Sequence, residues 1–93
     1  MTPENILHKN IRISGWVQGV GFRYTARSVA NLYGITGFVR NLPDGDVYIE
    51  AEGNSSQLEG FLTWCREGPP RAIIRSVDIT EEEVVGFGEF GIR

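Results

Sequence analysis

The chain has 93 residues, 41% hydrophobic and 23% charged, enough for one core and too few for two domains, so residues 1–93 are read as a single domain. With 1 cysteine and 1 histidine there is no internal disulfide framework and no Cys/His zinc site, and neither a metal nor a cofactor is expected. The 12 acidic and 9 basic residues leave a net charge of -3, which opposes binding to nucleic acid or anionic lipid.

Met1 to Asn10 contains Glu4, His8 and Lys9 and lacks the apolar run of a secretory signal, and no stretch is long enough to span a membrane. A cytoplasmic location is expected, in keeping with the lone thiol. His8 precedes the first strand signal without an acidic or cysteine partner at a useful spacing, so it is expected on the surface or in a linker.

From Lys9 to Val17, Ile11, Ile13 and Val17 alternate with Arg12, Ser14 and Trp16, the period of a half-buried strand. Phe22, Ala26, Val29, Ala30 and Tyr33 then recur at helical spacing, with Gly34 where a left-handed C-terminal cap belongs. Ile35 to Asn41 and Val47 to Gly53 flank Leu42-Pro43-Asp44-Gly45 and read as a hairpin. Ser56 and Glu59 suit a capping box for a second helix, whose face carries Leu58, Phe61, Leu62 and Cys65 before Gly68-Pro69-Pro70 ends it. Ile73 to Thr80 resumes the strand pattern with a bulge expected at Arg75, and Phe90 to Arg93 suits a short fifth strand.

This β-α-β-β-α-β order predicts the split βαβ arrangement, an α+β sandwich with an antiparallel sheet of four or five strands and two helices on one face. Right-handed crossovers place the third strand between the first two, which then run the same way and end together, roughly 10 Å apart.

At that shared end lies Gly15-Trp16-Val17-Gln18-Gly19-Val20-Gly21-Phe22-Arg23. Gly19, Val20, Gly21 and Phe22 offer no side-chain cap to the helix that follows, which leaves its first amides for a ligand. Glycines permit the positive φ angles by which amides converge on an anion, and Arg23 adds a bidentate guanidinium, so a phosphate group fits. Spacing alone equally allows a plain tight turn with Arg23 in solvent. The segment is neither a P-loop nor a dinucleotide fingerprint, because Tyr24 stands where the third glycine belongs. Asn41, at the end of the second strand, faces the same end and can orient a water, although asparagine before a proline-containing turn is also ordinary turn chemistry.

Ile13-Ser14-Gly15-Trp16-Val17-Gln18-Gly19-Val20-Gly21-Phe22-Arg23, followed by Gly37-Phe38-Val39-Arg40-Asn41 with Gly45, Val47 and Gly53, resembles the two motifs of the acylphosphatases over essentially the whole chain. These small enzymes hydrolyse the carboxyl-phosphate bond of acyl phosphates. Phe38 stands where tryptophan is common, a change expected to affect packing more than chemistry. The resemblance implies a ferredoxin-like sandwich and a phosphate cradle made by Gln18, Gly19, Val20, Gly21 and Phe22. It also implies metal-independent catalysis by Arg23 and Asn41, without a phosphoenzyme. The expected partner is a small acyl phosphate, and a monomer suffices.

Two competing readings are weaker. Cys65 to Arg71 has the C-x5-R spacing of cysteine-dependent phosphatases, yet Pro69 and Pro70 lack amides, Glu67 repels an anion, and Cys65 falls on the apolar helix face. An RNA-recognition module has the same element order, with Trp16, Phe38 and Tyr48 as stacking candidates, but Glu50 and Glu52 stand beside Tyr48 where basic residues are needed. Glu81-Glu82-Glu83 reads as a solvated bend rather than a cation site.

Overall fold

The computed structural model describes residues 5–93. Its elements are β1 (Leu7–Trp16), α1 (Phe22–Tyr33), β2 (Thr36–Asn41), β3 (Val47–Gly53), α2 (Ser55–Glu67), β4 (Ile73–Glu82) and β5 (Phe90–Ile92), in the expected order. The sheet runs β4-β1-β3-β2-β5, so β3 lies between β1 and β2 as the crossover rule requires. Both helices cover one face. Ile11 and Ile13 of β1, Val39 of β2 and Val47, Ile49 and Ala51 of β3 meet Phe22, Ala26, Ala30, Leu58, Phe61 and Cys65 there in one buried cluster.

Gly34 caps α1 at φ 72, as its position suggests. Opposite Ser14 and Gly15 of β1 the β4 register skips Arg75, which is the expected bulge. The capping box lies two residues earlier than expected: Asn54, not Ser56, is the N-cap. Its side chain accepts from the Gln57 amide at 2.8 Å, and Gln57 Oε1 accepts from the Asn54 amide at 2.8 Å. An asparagine and a glutamine serve here as well as serine and glutamate, and the helix starts at the first residue that allows them. Asn54→Ala is expected to lower stability by about 1 kcal/mol, seen as a shift of the urea midpoint at unchanged slope.

At one edge the sheet is mixed rather than antiparallel, because β5 pairs parallel with β2. The reason is the return path. β4 and β5 are opposite edges, so residues 83–89 cross the whole uncovered face. Four strand spacings are roughly 19 Å, close to the roughly 25 Å reach of an extended segment of that length.

That crossing also corrects the placement of His8. The residue lies inside β1, 1% exposed, beneath the crossing segment. Its Nδ1 donates to Glu52 Oε2 at 2.7 Å, while Nε2 is 3.0 Å from Glu50 Oε1 and 2.9 Å from Asn10 Oδ1. Its acidic partners sit on β3, where antiparallel pairing sets His8 opposite Glu52, so spacing along the chain could not show them.

Candidate active site

β1 and β2 are both antiparallel to β3, hence parallel to one another, and they end together at Trp16 and Asn41. Between them Val17, Gln18, Gly19, Gly21, Phe22, Arg23, Tyr24 and Asn41 line a cavity of about 110 Å³. Of the seven residues singled out from the sequence, six meet here; Val20 instead turns its side chain into the core.

The strand-to-helix loop turns through Gly19 at φ 74 and Gly21 at φ 78, left-handed conformations that other residues adopt only with strain. A Cβ on either glycine would meet no atom within 4 Å, so backbone conformation, not crowding, selects glycine here. Gly21 is the N-cap of α1 and supplies no side-chain hydrogen bond, and the first turn carries no acidic residue. The N–H groups of the first turn therefore have no intrahelical acceptor, and the positive end of the helix dipole is not neutralised locally. Arg23, in that turn, pairs with no carboxylate among the described residues. The Arg23 guanidinium and the unneutralised end of α1 thus border a space suited to a small anion.

Asn41 ends β2 opposite Val47, on the helix-covered side of the sheet. Its Oδ1 is buried and accepts no hydrogen bond from the described residues. A buried amide oxygen left without a donor is costly, and such orphans call for a specific partner. Gln18 lies opposite. Its Nε2 donates to Leu42 O at 2.8 Å and Asp46 O at 2.9 Å, both in the turn after Asn41. That turn is closed by Gly45 N to Leu42 O and Leu42 N to Asp46 O. From the other face of the sheet Arg12 grips it through Asp44 and Asp46. The Asp46 amide, first, and the Arg12 guanidinium hold the Asp44 carboxyl below its usual range.

These features place an uncapped helix, a free guanidinium and an unpartnered amide oxygen around one small space. The family model described as Acylphosphatase matches residues 9–92. The chain belongs to the acylphosphatase family. An acylphosphatase from Acaryochloris marina is 46% identical over 92 residues, covering 99% of this chain and 98% of the relative. One from Archaeoglobus fulgidus is 48% identical over 82 residues, covering 88% and 92%. The solved structure of an acylphosphatase from Coxiella burnetii superposes with TM-score 0.94 at 36% identity, covering all of both chains. Near-complete coverage in both directions makes the chain an enzyme of the acylphosphatase type, with the ferredoxin-like α+β fold of that family.

Within this acylphosphatase fold the Cys65 site does not assemble, and of the three stacking candidates Trp16 is exposed while Phe38 and Tyr48 are engaged by neighbours. Cys65 is fully buried against the core, and burial pushes its thiol far above the usual range, the opposite of what a nucleophile needs. Phe38 does lie on the open face but is 7% exposed, covered by Phe87 and by the Arg93 guanidinium 4.1 Å from its ring. Tyr48 donates its hydroxyl to Glu50 at 2.8 Å, and burial together with that bond pushes its pKa up to about 12. No helix among the described residues is long and apolar enough to cross a membrane.

Proposed function

We propose that the cavity hydrolyses the carboxyl-phosphate bond of small acyl phosphates, with Arg23 and the main chain from Gly19 to Phe22 holding the phosphoryl group while Asn41 orients the attacking water. Two phosphoryl oxygens engage the guanidinium, and others take up the loop and first-turn amides. The orphaned Oδ1 of Asn41 accepts one hydrogen of a water and aims its lone pair at phosphorus. The new P–O bond forms as the bond to the carboxyl oxygen breaks. The carboxylate departs with that electron pair, and the water's protons stay on the phosphate. Since a carboxylate leaves without being protonated, positioning and charge stabilisation suffice.

The observation that carries this reading is the buried, unpartnered Asn41 oxygen in one cavity with Arg23 and the uncapped end of α1. A volume of about 110 Å³ suits a phosphoryl headgroup and a water rather than a nucleotide, for which pockets of several hundred Å³ are usual. The same reading takes residues 1–93 as one domain acting as a cytoplasmic monomer on a small molecule, without metal, cofactor or nucleic acid. In its support, the net charge is -3, Phe38 on the open face is covered by Phe87, and the Tyr48 hydroxyl is bonded to Glu50.

The test is release of inorganic phosphate from benzoyl phosphate in the presence of a chelator. Asn41→Ala is expected to fold normally and to lose about a hundredfold in kcat, the scale of a misplaced reactant. Wild-type turnover in the folded variant would overturn the role of Asn41.

A further inference from the structure

Gln18 is read from the sequence as part of the phosphate cradle, yet its side chain is already committed. Both Nε2 hydrogens are used on Leu42 O at 2.8 Å and Asp46 O at 2.9 Å, so they are not available to a phosphoryl oxygen. The two carbonyls form the neck of the turn, where Leu42 N also donates to Asp46 O at 2.8 Å. Gln18 immediately precedes Gly19, and Leu42 immediately follows Asn41. One amide therefore clips the start of the cradle to the residue next to the water-orienting group, across the gap between β1 and β2.

We propose that Gln18 is a positioning residue that sets the distance between Asn41 and the phosphoryl cradle, and that it does not itself bind substrate. The proposal rests on the reading of Asn41 as the group that orients water. The cradle's own geometry comes from Gly19, Gly21 and the start of α1, none of which depends on the Gln18 amide. Loss of the clip therefore affects attack more than grip. The Arg12 contacts with Asp44 and Asp46 hold the far side of the turn, so the hairpin persists without the clip while its neck is free to drift.

The experiment is a double-mutant cycle in the full chain, with benzoyl phosphate as substrate and inorganic phosphate as competitive inhibitor. Gln18→Ala, and Gln18→Met as a variant that keeps the volume, are expected to lower kcat on the order of tenfold. KM and the phosphate inhibition constant are expected to stay within about twofold of wild type, and in the Asn41→Ala background either substitution should change kcat by less than about twofold. A tenfold loss that persists in the Asn41→Ala background would overturn the proposal, as would weakened phosphate inhibition or an unchanged kcat in both folded variants. Asn41→Ala with wild-type turnover would instead sink the assignment of Asn41 itself, so the two failures are distinguishable.

Discussion

Arg23→Ala is expected to reduce kcat for benzoyl phosphate by two to three decades, about 3 to 4 kcal/mol of lost transition-state stabilisation, while leaving the fold intact. The size follows from where charge sits during transfer. The three peripheral phosphoryl oxygens carry it, and the space they enter is small and ringed by donors that need not reorganise. The amides remain in the variant, so activity does not fall to the uncatalysed rate. Stability is expected to hold because Arg23 makes no salt bridge among the described residues, and its removal leaves no carboxylate unpaired. Arg23→Lys should recover only part of the loss, since an ammonium is a point charge and cannot span two oxygens in the plane a guanidinium offers. Steady-state kinetics alongside a thermal melt check both halves. A folded Arg23→Ala protein with kcat within threefold of wild type would remove the guanidinium from the mechanism.

The placement of Arg23 at this cavity was legible in the sequence because its neighbours were. Gly19, Gly21 and the missing cap residue are local signals, and α1 begins and ends where its periodicity and Gly34 place it. Asn41 needed topology as well, for only the parallel run of β1 and β2 brings it to the cavity that Arg23 also lines. The hydrogen bonding of Gln18 was not legible. Its partners are main-chain carbonyls of the turn after Asn41, and no residue type in that turn announces them. The burial of His8 was hidden for a related reason. In period-two terms it belongs to the same face as Asn10, Arg12 and Ser14, a polar row that normally meets water. What buries it is the crossing of residues 83–89, a segment without helix or strand signal, in which Phe87 packs its ring 5.7 Å from the imidazole. Extending the Ile11–Ile49 pairing along the two strands sets His8 against Glu52, so the charge pair follows from register once the strands are known to be neighbours.

Glu52→Ala is expected to cost about 3 to 5 kcal/mol of stability, a large share of the roughly 5 to 15 kcal/mol by which domains are stable. The carboxylate is 3% exposed and accepts from the amides of Val85 at 2.5 Å, Gly86 at 3.0 Å and Phe87 at 3.1 Å as well as from His8. Removing it takes the acceptor from four donors at once, the buried His8 imidazole among them. Desolvation opposes its charge, but the Val85 amide, His8 and the Phe87 and Gly86 amides outweigh that and hold the Glu52 pKa below its ordinary 4.5. Desolvation opposes the His8 charge too, yet the hydrogen bonds to Glu52 and Asn10 and the charges of Glu50 and Glu52 raise its pKa above 6.5. The Glu52 contribution is present above 4.5 and lost as pH falls through the depressed folded value. The His8 contribution is present below 6.5 and lost as pH rises through the raised one. Stability from this cluster should therefore peak between about 4.5 and 6.5 and decline further on the acid side, because the amides still hold Glu52 after His8 deprotonates. Urea unfolding across pH is the measurement: the Glu52→Ala profile should lose that peak. Hydrogen exchange at Val85, Gly86 and Phe87 should rise with it. Catalysis at low temperature should survive, since Glu52 lies at the other end of β3 from Val47 and the site, roughly 17 to 20 Å away. A variant as stable as wild type at pH 6, or one that is folded but inactive, would contradict this account of how the crossing segment is held.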